Sequence, residues 1–379
     1  VDSQRPKVLV VDDTPDNIRV LMETLRDAYA VVAALNGERA LQLAMIEPKP
    51  DIILLDVVMP GMDGYAVCRA LKSEPATRDI PVIFVTGQSE SEEEALGLTL
   101  GAVDYITKPF NPSILKARLA NHLALRQAYR DLKHSRDLLA EELAQAAQYV
   151  VSLLPAALDA GPVRAAWRFV PSSSLGGDAL GYHFPDAGHF AFYLLDVCSH
   201  GVGPALLSVQ VLNVLRNQSL PGVDFLDPGQ ILAGLNALFQ MGRHNNLYFT
   251  IVYGVVELAT RRLTLASGGH PPPLYFAPDG RMEVLRKPNL MIGALPDVAY
   301  NTLDLTLAPG SSLYVFSDGA YEVARPGGDY CSYEEFAASL REAHRAGADV
   351  PDAVLAWART LGGRDTLEDD FSMLRLTFP

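Results

Sequence analysis

A chain of 379 residues, 49% hydrophobic and 20% charged, is long enough for two or three domains with their own cores and too apolar to be disordered. Its net charge of −14, from 31 basic and 45 acidic residues, excludes a broad phosphate-binding surface, and with no basic recognition helix apparent no nucleic-acid partner is expected. No apolar run reaches the roughly 18 residues of a membrane span, no signal-peptide pattern opens the chain, and Cys68, Cys198 and Cys331 are too scattered for disulfides or zinc, which predicts no membrane partner and a cytoplasmic setting.

In chain order, Lys7–Val11 (KVLVV) reads as a buried strand that ends in Asp12-Asp13. A helical pattern over 17–25, a strand over 30–34 and a helix over 37–46 follow. The run over 51–55 (DIILL) delivers Asp56 to its end, the run over 81–85 (PVIFV) ends at Thr86-Gly87, and a short strand at Tyr105-Ile106 leads into Lys108-Pro109. Strands alternating with helices at this spacing predict a doubly wound parallel sheet. Ligands of such sheets bind outside the carboxyl ends of the strands, where Asp12, Asp13, Asp56, Thr86 and Lys108 all fall. Three crowded carboxylates need a cation, and oxygen-only ligands favour Mg²⁺. An amine and a hydroxyl beside them suit an added phosphoryl group. One acid at a strand end is usually a solvated cap; five such residues in register are not.

The pieces VVDD, LLDVVMPGMDG, VTG and DYITKPF closely resemble the receiver domain of bacterial response regulators, with no departure from the pattern. The resemblance implies a receiver domain over 1–125 with a flavodoxin-like sheet of five parallel strands. It makes Asp56 the phosphoacceptor, places Mg²⁺ on Asp12, Asp13, Asp56 and the Val58 carbonyl, gives Thr86 and Lys108 the reading of the phosphoryl group, and makes Tyr105 the aromatic switch residue. A sensor histidine kinase is the partner it implies.

From Ser113 to Leu154 there is neither glycine nor proline, and Pro112 and Pro155 bracket the stretch. A helical pattern this long predicts a connector over 113–154. Leu125, Leu132, Leu139 and Ala146 share one heptad position, and His122, Tyr129, Arg136, Leu143 and Val150 the other. This coiled-coil-like seam predicts a parallel homodimer or packing against the following module. His134, in KHSRD, lacks the context of a phosphoaccepting histidine and is expected to be an exposed helix residue.

The remainder, 156–379, carries β-branched runs over 165–170, 189–195, 247–258, 263–266, 303–307, 312–316 and 371–378. Helical patterns interrupt them at 202–218, 228–241, 333–346 and 351–361. This order predicts an α+β antiparallel sandwich with helices on its outer faces. Four acids stand at strand ends beside turns: Asp178 in SLGGD, Asp196 in HFAFYLLDVCSHG, Asp318 in SLYVFSDG, and Asp369, next to Asp370, before FSMLRL. Converging, they would hold a pair of hard divalent cations about 3.5–4 Å apart, suited to activating water for attack on phosphorus. His200 and His270 could protonate a leaving seryl oxygen, although a helix-start residue and a turn histidine are the plainer readings. Cys198, near the same acids, is discounted as a nucleophile for want of a base and an electropositive pocket.

The four acids, with SGGHPPPLY, MIGALP and FSDGAYEVARP, resemble the PPM family of metal-dependent serine/threonine phosphatases in its SpoIIE/RsbU branch. That resemblance implies two Mn²⁺ or Mg²⁺ ions on Asp178, Asp196, Asp318 and Asp369. It also implies a phosphorylated STAS-type anti-sigma antagonist as substrate. There are two departures: Gly181 stands where the family has a second acid, and Ser199 where it has glycine. The domain order also resembles the RssB-type regulators of the stationary-phase sigma factor, which implies an alternative, an adaptor that binds a sigma factor through a non-catalytic phosphatase-like domain.

Overall fold

The computed structural model describes residues 5–87, 97–347 and 349–379. Contacts divide the chain into two compact units, Val1–Leu138 and Leu139–Pro379.

In the first unit, β1 (Lys7–Val11), β2 (Ala30–Ala34), β3 (Ile52–Asp56), β4 (Val82–Thr86) and β5 (Asp104–Thr107) form one parallel sheet in the order β2-β1-β3-β4-β5. Helices α1 (Pro15–Leu25), α2 (Gly37–Ala44) and α3 (Gly64–Ser73) lie between the strands in sequence. Alternate residues serve opposite faces. Val8, Val10, Leu54, Ile83 and Val85 pack on Ile18, Leu21 and Leu25 of α1, and on Leu115 and Leu119 from the start of the long helix. Leu9, Val11, Ile53, Leu55 and Phe84 meet Ala40 and Ala44 of α2 and Val67 and Leu71 of α3. Both faces being covered, the strands read as unbroken apolar runs. β3 and β4 lie one residue further along than the runs suggest, so Asp56 and Thr86 are the last residues of their strands.

The connector is a single helix, α4 (Pro112–Ser152), of 41 residues. Arg118 pairs with Asp104, His122 Nε2 lies 3.1 Å from the same carboxylate, and Arg126 donates to the carbonyls of Pro50 (3.1 Å) and Asp51. Arg130 adds an ion pair of 3.1 Å with Asp51, so these ties run beyond residue 125. Every residue from 127 to 142 is exposed.

In the second unit, two five-stranded antiparallel sheets face each other. β13 (Thr302–Thr306), β10 (Arg262–Gly268), β9 (Phe249–Glu257), β8 (His189–Val197) and β7 (Ala179–Asp186) make one. β12 (Met282–Val284), β11 (Leu274–Phe276), β14 (Ser311–Phe316), β15 (Phe371–Phe378) and β6 (Arg164–Val170) make the other. Phe190, Phe192, Leu194 and Val252 interdigitate with Leu313, Val315, Leu374 and Leu376 between them. Helices α5 (Val202–Arg216) and α6 (Pro228–Leu238) cover one outer face, and α7 (Tyr333–Arg345) and α8 (Val350–Gly362) the other. Both sheets and all four helices follow the sequence pattern. The unforeseen strands are β7, an edge strand carrying Gly181 and Pro185, and the three-residue β11 and β12.

Candidate functional site

The first unit gathers its acids at the carboxyl edge of the sheet. Asp12 and Asp56 are buried, Asp13 is half-buried, and one oxygen from each lies within 4.8 Å of the other two. Asp12 is oriented by the Thr14 N–H (2.9 Å) and the Asn17 amide (3.0 and 3.1 Å). Lys108 Nζ donates to Asp12 and to Asp56, 2.7 Å each. Its own N–H reaches the Thr86 carbonyl at 2.7 Å, which fixes the loop after β5 to the end of β4. Burial, the largest influence, pushes the Asp56 carboxyl up despite the hydrogen bond and charge of Lys108. Burial would lower the Lys108 amine, but the two carboxylates outweigh it and hold it above its usual value. The Val58 backbone hydrogen-bonds the Asp56 carboxylate, with the Val58 side chain exposed. Thr86 is buried beside the cluster, and Tyr105, part of the core under α3, sits one strand over and pairs with Phe84. Asp12, Asp13, Asp56, Thr86 and Lys108 therefore lie together at one edge, with Tyr105 set back beside Phe84.

The sandwich gathers its acids by a different route. Asp178 precedes β7 and Asp196 lies near the end of β8, its antiparallel neighbour. Asp318 follows β14 and Asp369 precedes β15, another antiparallel pair. In an antiparallel pair the end of one strand adjoins the start of the next, so each sheet supplies two acids.

Asp178 is buried with neither carboxylate oxygen hydrogen-bonded. Burial, then Asp196 and Asp370, push it well above the usual range. Burial, followed by the charges of Asp318 and Asp369, raises Asp196 to about 8. Asp318 rises to about 6 through burial and Asp369, and burial lifts Asp369. Among the described residues no lysine or arginine forms an ion pair with any of the four. Asp178 is the buried member, Asp196 and Asp318 are half-buried and Asp369 is exposed, and among the described residues only the receiver acids bring three ligand oxygens within 4.8 Å of one another. A charge-coupled carboxylate set with no basic partner and an orphaned member still fits divalent cations on oxygen ligands.

Asp370 takes a part that the sequence did not reveal. It accepts hydrogen bonds from the backbone N–H of Gly177 (2.6 Å) and Ser172 (2.8 Å) and from Ser172 Oγ (3.0 Å), and so clamps the loop that presents Asp178. The only signal was its neighbour: in the bend just before β15, Asp369 is exposed and Asp370 is buried. On the other flank, a Cβ on Gly319 would lie 2.2 Å from the Asp370 carbonyl, so only glycine lets Asp318 come this close to β15.

The two histidines separate. His200 is exposed and lies close enough to Asp369 to favour its carboxylate. His270 is buried with Nδ1 2.7 Å from Thr250 Oγ1, and burial pushes it down to about 3, so at neutral pH it is an uncharged ring without the proton that acid catalysis needs. Cys198 binds back into the sheet, where Sγ accepts the Tyr248 N–H at 3.3 Å.

Gly181 finds its reason in the structure, whereas Ser199 is held in strain. A Cβ on Gly181 would lie 2.4 Å from the ring of Tyr193, which is fully buried and stacks on Tyr253 at 5.8 Å, so tyrosine occupies the space of a second acid. Ser199 holds φ at 73°, the left-handed conformation that favours glycine.

A five-stranded parallel sheet with a carboxylate–lysine cluster at its carboxyl edge defines a receiver domain, and the paired sheets with four acids at strand ends define a PP2C-type sandwich. Family comparison agrees: the response regulator receiver domain model matches residues 8–120, and the Stage II sporulation protein E (SpoIIE) model matches residues 186–379, more than half of the chain. The chain belongs to the SpoIIE family, with a receiver domain ahead of the SpoIIE-type phosphatase domain. Asp178 lies upstream of the SpoIIE match. Over 142 residues the chain is 42% identical to a Vibrio cholerae protein named as a probable cyclic di-GMP phosphodiesterase, an overlap of 38% of this chain and 32% of that protein. Over 114 residues it is 46% identical to the response regulator PleD of Caulobacter vibrioides, covering 30% of this chain and 25% of PleD. The chain thus spans about a third or less of these relatives' length. Among solved structures, the SiaA-PP2C domain of Pseudomonas aeruginosa aligns with a TM-score of 0.56 and 21% identity, over 65% of this chain and 99% of that domain, a likeness of fold.

Proposed function

We propose that this chain is a response regulator whose phosphorylation on Asp56 controls a metal-dependent protein serine/threonine phosphatase in its second unit. The observation that carries this reading is the set of four carboxylates, Asp178, Asp196, Asp318 and Asp369, coupled by charge with no basic partner among the described residues. When bound, two Mn²⁺ or Mg²⁺ ions supply the positive charge that offsets these acids and polarises water and a phosphoryl group. The chain's own residues do the rest. Asp370 holds the Asp178 loop, Ser317 Oγ ties the Asp318 turn to β15 through the Asp370 carbonyl (3.0 Å), and exposed His200 beside Asp369 delivers a proton to the leaving seryl oxygen. In the receiver, Asp12, Asp13, Asp56 and the Val58 carbonyl hold Mg²⁺, and Thr86, Lys108 and Tyr105 respond to the phosphoryl group donated by a sensor histidine kinase.

The substrate in this reading is a phosphoserine or phosphothreonine on an STAS-type anti-sigma antagonist, which places the protein in sigma-factor control in the cytoplasm. Leu125, Leu132 and Leu139, 68%, 69% and 56% exposed on α4, support a parallel homodimer over a free helix, and a monomer at micromolar concentration in sedimentation would remove that element. An RssB-type adaptor needs no such acids, and their retention does not favour it. The test is phosphate release from a phosphorylated STAS-domain protein in Mn²⁺. Wild type should turn it over and Asp196→Ala should lose at least about a thousandfold. Equal inertness of the two across serine- and threonine-phosphorylated substrates defeats the reading.

A further inference from the structure

A cavity of about 450 Å³ opens beside Asp318, within the range of roughly 300–1,000 Å³ usual for ligand clefts. Tyr321, Tyr333 and His270 line it along with Arg286 and Lys287. Two observations mark it as built. Tyr333 Oη is committed to the Pro272 carbonyl at 2.7 Å, which fixes its ring as a wall. His270, in the cavity lining, keeps a buried Nε2 with no hydrogen-bond partner.

The segment that bears the two cations is anchored at both ends. Leu285 is fully buried and its N–H reaches the Pro273 carbonyl at 2.9 Å. Asn289 donates to the Ser267 carbonyl (2.9 Å) and accepts from the Asn301 N–H (2.9 Å). Between the anchors, Arg286 and Lys287 are exposed and form no ion pair among the described residues. Asp318 and Glu322 line the same cavity, yet among the described residues neither pairs with Arg286 or Lys287, so both cations stay open to a ligand.

We infer that this cavity is the docking cleft for the protein substrate and that it takes a phosphorylated segment flanked by acidic side chains, the flank lying on Arg286 and Lys287. The inference rests on the phosphatase reading. The phosphoryl group lies at the Asp318 end, where bound cations offset the carboxylates. The flanking carboxylates meet the guanidinium and ammonium groups, of which Arg286 can pair with one through two parallel hydrogen bonds.

The test uses the full chain in Mn²⁺ with two phosphoserine peptides that differ only in having acidic or basic flanks. Wild type should favour the acidic peptide in kcat/KM by about tenfold or more, as one desolvated charge pair allows. The double variant Arg286→Glu, Lys287→Glu should invert the preference, and Arg286→Gln, Lys287→Gln should erase it. A ratio unaltered in both variants overturns the inference. So does an equal loss on both peptides, which would put the cations on the transferred phosphate. If wild type releases phosphate from neither peptide, the phosphatase reading fails and the cleft is judged by fluorescence anisotropy with labelled, unphosphorylated peptides. Tighter binding of the acidic one, reversed in the Glu variant, upholds the cleft; equal binding overturns it.

Discussion

The two acid clusters of this chain are neutralised in opposite ways. In the receiver, a lysine built into the fold bridges Asp12 and Asp56 at 2.7 Å each, so the carboxylates come together with a counter-ion already among them. In the sandwich, four acids and Asp370 approach one another with no such lysine among the described residues, and every one of the four sits above the ordinary carboxylate range. The first is a site poised to exchange one anion's partner for another. The second is unbalanced until charge arrives from outside, which suits metal-dependent chemistry and costs stability in the metal-free protein.

The largest expected effect breaks the sandwich site. Asp196 at about 8 and Asp318 at about 6 both lie above their ordinary 3.8, so the folded state binds more protons than the unfolded one. The stability they contribute is full below pH 4 and is lost as pH rises through 6 and then 8. The melting temperature of the metal-free protein should therefore fall from pH 5 to pH 9, and Mn²⁺ should restore most at the alkaline end. Asp196→Asn should flatten that slope, raise the metal-free melting temperature at pH 8.5 by on the order of 5 °C, and abolish phosphate release. A slope unchanged by the substitution would contradict the assignment.

Asp370→Ala comes next. It strands the N–H groups of Gly177 and Ser172, at about 1–3 kcal/mol for each buried group left unsatisfied. Mn²⁺ affinity measured by calorimetry should drop about tenfold as the Asp178 loop loosens, because partners outside the ligand set typically govern 10–100-fold in affinity. Wild-type affinity in the variant would reduce Asp370 to a structural residue.

Lys108→Met should make the receiver cluster behave like the sandwich cluster. Removing one partner of a buried pair costs about 3–5 kcal/mol, and with Lys108 21% exposed about 2 kcal/mol is expected. Mg²⁺ should recover most of it in denaturant titrations, and to a larger extent than it stabilises wild type. Equal Mg²⁺ responses would mean that Lys108 is not the internal counter-ion.

The receiver was readable almost to the residue, because a parallel sheet sends every strand's carboxyl end to one edge and the chain order alone brings Asp12, Asp56, Thr86 and Lys108 together. The sandwich acids were readable as strand-end residues, but what separates their neighbours is burial, which the sequence does not carry. His200 and His270 look alike in the chain, yet one is exposed beside Asp369 and the other is sealed against Thr250. Asp369 and Asp370 are adjacent in the bend before β15, and only burial separates them. Arg286 and Lys287 lie between β12 and β13 where no periodicity points anywhere, and their interest comes from the anchors on either side. Gly181 reads as a lost acid until Tyr193 is seen filling its space.

Ser199 gives the smallest and most discriminating effect. A side chain held at φ 73° costs roughly 1–2 kcal/mol over glycine, and this one sits three residues after Asp196, in the turn that leads into α5. Glycine would relieve the strain but enlarge the conformational freedom of the unfolded chain, which returns part of the gain. The net for Ser199→Gly is therefore a stabilisation of about 0.5–1 kcal/mol, read in denaturant titrations. If the serine is there to stiffen the turn beside a metal ligand, the more stable glycine variant should bind Mn²⁺ more weakly. Were stability and Mn²⁺ affinity to rise together, the strain would serve no purpose at the site, and the cost of Ser199 would be incidental to it.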